Sequence, residues 1–134
     1  MNRNLNLLGI AKKAGLLAIG GEAVTTAIRT GKAKLIISAS DASERAQRRA
    51  KTNAEYGGAL HIAVPYTKFE LGSITGRGGT GTLAVLDVGL AAGFVKGLAE
   101  IDPEHYRETA ERLDRKAAAI ADKKKMQAKR RTMQ

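Results

Sequence analysis

Apolar residues come along this chain in short blocks, and glycine does most of the interrupting. Leu5, Leu7, Leu8, Ile10, Ala11 and Ala14 predict a helix over 5–14, with Lys12 and Lys13 on its last outer turn and Gly15 as its stop. Leu16–Ile19 predicts a short strand, and Glu22–Thr30 a second helix ended by Gly31. Leu35-Ile36-Ile37 is an unbroken run of bulky aliphatic residues, the pattern of a strand covered on both faces. Asp41 or Ser43 can cap a helix running to about Tyr56, which Gly57-Gly58 ends. Leu60–Val64 predicts a third strand stopped by Pro65, Thr67 caps a short helix with Phe69 and Leu71, and Leu83–Val88 predicts a fourth strand. Gly89–Leu98 then reads as a helix packing Leu90, Phe94, Val95 and Leu98.

Strands alternating with helices predict an α/β fold: a three-layer α-β-α sandwich around a central mixed four-stranded sheet. The domain is expected to span 1–100. Beyond Asp102-Pro103, residues 104–131 are polar and helix-prone, with too few large apolar side chains to own a core. The 101–134 segment is therefore expected to be a basic C-terminal extension, either a solvent-exposed helix or a partly disordered tail.

Composition narrows the chemistry. Of 134 residues none is Cys or Trp, so the core is aliphatic and neither a disulfide nor a thiolate metal site can form. A reducing, cytoplasmic setting is the expectation, and no run reaches the roughly 18 apolar residues of a membrane span. The formal charge of +10 points to a polyanionic partner. From Lys116 onward there are 7 basic residues and only Asp122 opposes them; the clusters 123–125 and 129–131 fit a non-specific phosphate-binding arm.

Within the chain, Gly20-Gly21-Glu22 is the most informative local pattern. A glycine hinge immediately before a helix leaves bare backbone N–H groups at the positive end of the helix dipole, where phosphate is favoured. Gly76-Arg77-Gly78-Gly79-Thr80-Gly81 spells the dinucleotide fingerprint, but a helix precedes it and a strand follows, the reverse of the required order. It reads as a glycine loop carrying Arg77, and no nucleotide cofactor or metal is expected. His61, in an apolar strand, and His105, in the charged extension, have no acid at metal-ligand spacing and read as packed or solvated. Asp41, Glu55 and Asp87 lie at element ends and suit caps or surface pairs. Arg45, Arg48 and Arg49 share one helix face, which can hold phosphates or remain solvated. No catalytic constellation assembles.

The order of hinge, helix, Gly31-Lys32-Ala33-Lys34-Leu35-Ile36-Ile37, Ala39-x-Asp41, basic helix and Glu70-Leu71-Gly72 with Gly76 resembles the kink-turn-binding ribosomal-protein family, L-seven-Ae type, and in particular its small bacterial YlxQ-like members. The resemblance covers about residues 4–99. It implies RNA binding at a sharp bend, with the loop before the second helix and that helix's first turn entering the widened groove. Carried over, that surface is Gly20, Gly21, Glu22, Ala23 and Thr26, with Ser43 nearby. A second loop, at Arg77, Gly78 and Gly79, would cover the nucleotide flipped out at the bend. Strong binders of the family often carry Asn-Glu where this chain has Glu22-Ala23, and Lys where it has Thr26. Relatives also often set an apolar residue in the second loop, where this chain has glycines.

The expected function is a non-enzymatic RNA-binding protein for structured, kink-turn-like RNA, such as ribosomal RNA, with the ribosome or translation factors as further partners and the protein a monomer. Lys12, Lys13, Lys32 and Lys34 are expected to give electrostatic support around the second helix, and the C-terminal arm to add salt-dependent affinity. The alternative is a protein-interaction module of the same fold whose RNA surface is eroded at Ala23 and Thr26.

Overall fold

A computed structural model describes residues 3–76 and 80–132. The element order is α1 (Arg3–Lys13), β1 (Leu17–Ile19), α2 (Gly21–Arg29), β2 (Leu35–Ser38), α3 (Glu44–Tyr56), β3 (Leu60–Ala63), α4 (Lys68–Thr75), β4 (Thr82–Val85), α5 (Val88–Ile101) and α6 (Pro103–Thr132). The strands form one sheet in the order β1-β4-β2-β3. β4 pairs antiparallel with both β1 and β2, and β2 pairs parallel with β3, so the sheet is mixed.

Alternation along β2 and β4 divides the core into two layers. Leu35 and Ile37 pair in register with Val85 and Leu83 and enter the larger apolar cluster, together with Leu8, Leu71, Phe94 and Leu98. Ile36 and its partner Ala84 turn to the other face, against α2 and α3. That second layer is built mostly of alanine (Ala27, Ala33, Ala50, Ala54, Ala59), so α2 and α3 pack close to the sheet. Helices on both faces of a mixed four-stranded sheet make the expected α-β-α sandwich.

Several boundaries are set by side chains that satisfy backbone groups. Ser43 caps α3, its Oγ accepting from Ala46 N–H at 3.1 Å. Thr67 and Glu70 form a reciprocal capping box on α4, and Asp41 Oδ1 accepts from Lys68 N–H at 2.8 Å. The fourth strand stops at Val85 and not at Val88, because Asp87 caps α5 by accepting from Leu90 N–H at 2.9 Å. On α5, Gly97 permits the close approach of α1: a Cβ there would run into the Asn4 amide.

The C-terminal extension departs from expectation in its first half. It is one helix of 30 residues, about 45 Å at 1.5 Å per residue. Tyr106, Ala110 and Leu113, at helical spacing, are buried in the larger core cluster against α5. Tyr106 OH donates to the Ala63 carbonyl at 2.8 Å, tying α6 to edge strand β3. The acidic and basic residues between them masked this apolar stripe in the sequence. Past Ala117, every described residue is exposed, as the low apolar content predicts. Among the described residues, no helix is long and apolar enough to cross a membrane.

Leu113→Ala should destabilise the protein by about 2–5 kcal/mol in urea titration, since a fully buried leucine is truncated. Ile120→Ala, two turns further along the same helix and 40% exposed, should stay within about 0.5 kcal/mol of the parent.

Candidate nucleic-acid interface

The site begins at the corner between β1 and α2. Gly20 N–H donates to the Thr82 carbonyl at 3.0 Å, which holds the corner against the start of β4. Gly20 then adopts φ 90°, ψ 159°, a region open essentially only to glycine. No side chain caps α2. The first intrahelical bond runs from Val24 N–H to the Gly20 carbonyl, so the N–H groups of Gly21, Glu22 and Ala23 precede the helix's own ladder. A Cβ built on Gly21 meets nothing within 4 Å, and Gly21, Glu22 and Ala23 are all exposed.

Beside this corner, α2 and α3 enclose an open groove of about 650 Å³. Gly21, Glu22, Thr26, Ser43 and Thr82 line it, joined by Arg29 from α2 and by Arg45 and Arg49 from α3. The three guanidiniums face one carboxylate, and among the described residues none of the three is in an ion pair. Unpaired guanidiniums beside open amides suit an anion whose oxygens accept several hydrogen bonds at once. Thr25 and Thr26 hydroxyls donate back to the Gly21 and Glu22 carbonyls, at 2.8 and 3.1 Å, and so offer a ligand acceptor oxygens in the main.

Gly20, Gly21, Glu22, Ala23, Thr26 and Ser43 thus share one end of the sheet. Ala23 lies outside the groove lining. Arg77, Gly78 and Gly79 lie outside the described residues; their described neighbours are Gly76, which ends α4, and Thr80, whose N–H donates to the Lys68 carbonyl at 3.2 Å. Lys12 is committed elsewhere: its ammonium donates to the Thr75 carbonyl at 2.7 Å, at the C-terminus of α4. Lys13 is exposed at the end of α1.

Lys32 and Lys34 are not brought to this end. Lys34 N–H donates to the Val85 carbonyl, at the start of β2, while Ser38 and Thr82 pair at its far end beside Gly20. α2 runs the depth of the sheet between them, so its N- and C-terminal neighbours must lie at opposite ends. The cations that line the groove are instead Arg45 and Arg49 from the first half of α3, with Arg29 further along, from the last turn of α2. The i,i+4 spacing of Arg45 and Arg49 was visible in the sequence; that this face meets α2 was not, because it depends on where α3 crosses the sheet. Arg48, which shares the helix face in sequence terms, does not line the groove.

The histidines part company. His61 is half-buried, with Nε2 2.8 Å from Ser38 Oγ. Burial, and then the Lys51 ammonium, push its pKa below the ordinary 6.5. His105 is exposed, with Nδ1 2.7 Å from Asp102 Oδ2. Among the described residues, no three His, Cys, Asp or Glu side chains gather as a metal site.

The model for the ribosomal protein L7Ae/L30e/S12e/Gadd45 family matches residues 3–94, which takes in the corner, the groove and the sheet. The chain belongs to that family. Residues of α6 fall outside the match. Among curated proteins, the RNA-binding protein YlxQ of Enterococcus faecium is 40% identical over 52 residues, 39% of this chain, and the match spans half of that relative's length. A solved structure of a Bacillus halodurans protein of unknown function superposes with a TM-score of 0.66 at 25% identity, covering 72% of this chain and 97% of the other.

Gly20→Ala should lose about 1–3 kcal/mol of stability, because alanine is strained at that backbone geometry, whereas Gly21→Ala should be neutral or gain up to about 1 kcal/mol. Chemical denaturation of both variants reads the difference directly. A depressed imidazole pKa favours the neutral form in the fold, so the stability His61 contributes is present above pH 6.5 and is lost as pH falls through the folded pKa. Urea midpoints measured from pH 8 to about pH 5 should therefore fall more steeply for the parent than for His61→Asn.

Proposed function

We propose that this protein binds structured RNA at the N-terminus of α2, with kink-turn RNA of a ribosomal or translation-associated particle as its target, and that it acts as a binding protein and not as an enzyme. The observation that carries this reading is the pairing of an uncapped helix start with three unpaired arginines in one groove. Amides and guanidiniums both donate hydrogen bonds, and their common complement is the phosphate oxygen. Membership of a ribosomal-protein family supports it, as does a relative named for RNA binding.

Recognition of the bend rests on backbone shape more than on base edges. Ala23 has no polar side chain, and the Thr26 hydroxyl donates to Glu22. Neither reads a guanine as an amide or carboxylate would. A distorted groove wide enough to admit the start of α2 would bind; a straight A-form duplex, with its deep and narrow major groove, would not. The apolar Ala23 and the Thr26 hydroxyl turned back on Glu22 favour, as second reading, a protein-interaction module. Retention of partners from extract after nuclease treatment would point to that module.

Gly21→Glu provides the decisive variant. Its carboxylate lies in open space at a helix N-terminus, where it should leave stability unchanged or slightly raised, yet it repels phosphate at the groove. In anisotropy titrations the parent should prefer a kink-turn RNA over a straight duplex of equal length, and Gly21→Glu should weaken the kink-turn complex about tenfold or more. Equal affinity of the parent for both RNAs, vanishing together as salt rises, would remove shape recognition and leave charge attraction alone.

A further inference from the structure

A second cationic recess lies on the opposite flank of α3, away from α2. It has a volume of about 400 Å³ and forms where the C-terminal half of α3 meets β3 and the first half of α6. Lys51, His61, Arg112 and Lys116 line it, with Glu55 as the one acid. Among the described residues, Lys51, Arg112 and Lys116 are in no ion pair. His61 Nε2 is taken by Ser38 Oγ, which leaves Nδ1 of the ring.

The recess opens onto α6, and helical geometry extends it. Arg112, Lys116, Lys123 and Arg130 recur at intervals of four, seven and seven residues. At about 100° per residue these positions stay within about 40° of one another, and they span about 27 Å of helix. All four are exposed. α3 carries Arg45 and Arg49 on the flank that lines the groove and Lys51 on the flank that lines the recess. α6 crosses β3 from the Gly20 end of the sheet, where Tyr106 meets Ala63, to the other end, where Arg112 and Lys116 line the recess. Its outer half therefore extends away from the start of α2, and only a long RNA arm spans both.

The geometry points to a second RNA contact: the recess beside β3 and the α6 stripe take the phosphate backbone of the RNA arm that leaves the α2 groove. This inference rests on the reading that α2 binds RNA, and assigns a job to the helix outside the family match. A straight row of unpaired cations suits a linear polyanion, whose condensed counterions are released on contact. A lipid surface fits poorly. Ile120 and Met126, the large exposed apolar residues of the outer helix, lie about 120° apart around it and form no common face.

The test uses the full chain and a kink-turn RNA built with either short or long helical arms. In the combined variant R112Q/K116Q/K123Q/R130Q, affinity for the long-armed RNA should fall tenfold or more at low salt. The slope of log K against log salt should shrink by about 0.7–0.9 for each contact removed, about 3 in all. Short-armed RNA should bind as it does to the parent, and preference for kinked over straight RNA should persist. Independently, saturation with long-armed RNA should raise the His61 titration midpoint seen by NMR, since a phosphate beside Lys51, Arg112 and Lys116 favours the imidazolium. An unchanged salt slope would overturn the proposal, as would an unmoved His61 or tighter binding to an acidic polypeptide or anionic vesicles than to RNA. Gly21→Glu separates the two readings: if it spares binding while the α6 variant does not, the α2 reading fails and the α6 contact stands.

Discussion

The corner at Gly20 holds the candidate interface together. One hydrogen bond, from its N–H to the Thr82 carbonyl, fixes the end of β1 on β4, and its glycine-only backbone turns the chain directly into α2. A residue with a Cβ would be strained at this geometry. The turn leaves the first amides of α2 without a side-chain cap and sets them beside Thr82. Ser43 at the start of α3 is brought to the same end because β2, which precedes it, runs antiparallel to β4 in register with Thr82.

Charge shapes the rest. At a formal +10, none of the described lysines and arginines is in an ion pair: His105 with Asp102 is the one acid–base contact within 4.0 Å among the described residues. Self-repulsion of this kind lowers the stability of a compact state, and a polyanion relieves it. Lysines and arginines are disposed on either side of α3, so the helix packed by alanine on its inner face presents cations along both outer flanks. Close packing of small residues within is what brings those flanks near α2 and α6.

Much of the fold was legible in advance, for reasons that can be named. Glycines at 15, 31 and 57–58 stopped helices where expected, and the unbroken Leu35-Ile36-Ile37 run marked the central strand buried on both faces. Two misreadings have specific causes. Leu83–Val88 reads as one strand, but Asp87, whose place at an element end suits a cap, accepts from a helix N–H and the ladder ends at Val85. The extension looked coreless because Tyr106, Ala110 and Leu113 are diluted among charges, although their spacing of four and three is that of a single buried stripe.

The candidate site divides in the same way. Local chemistry needs no partner element: glycine at the corner, a helix starting without a side-chain cap, a serine that caps α3 and a basic far end to the chain are all written into short stretches of residues. Which cations serve those amides is a long-range matter. Lys32 and Lys34 follow α2 closely in sequence, yet a helix displaces its two ends by its own length, so they finish at the far side of the sheet. Arg45 and Arg49 are distant in sequence and adjacent in space because β2 returns the chain to the Gly20 end before α3 begins. Proximity along the chain sets the residue types and the turns; the crossing of α3 over the sheet, driven by burial of its alanine face, sets which charges meet.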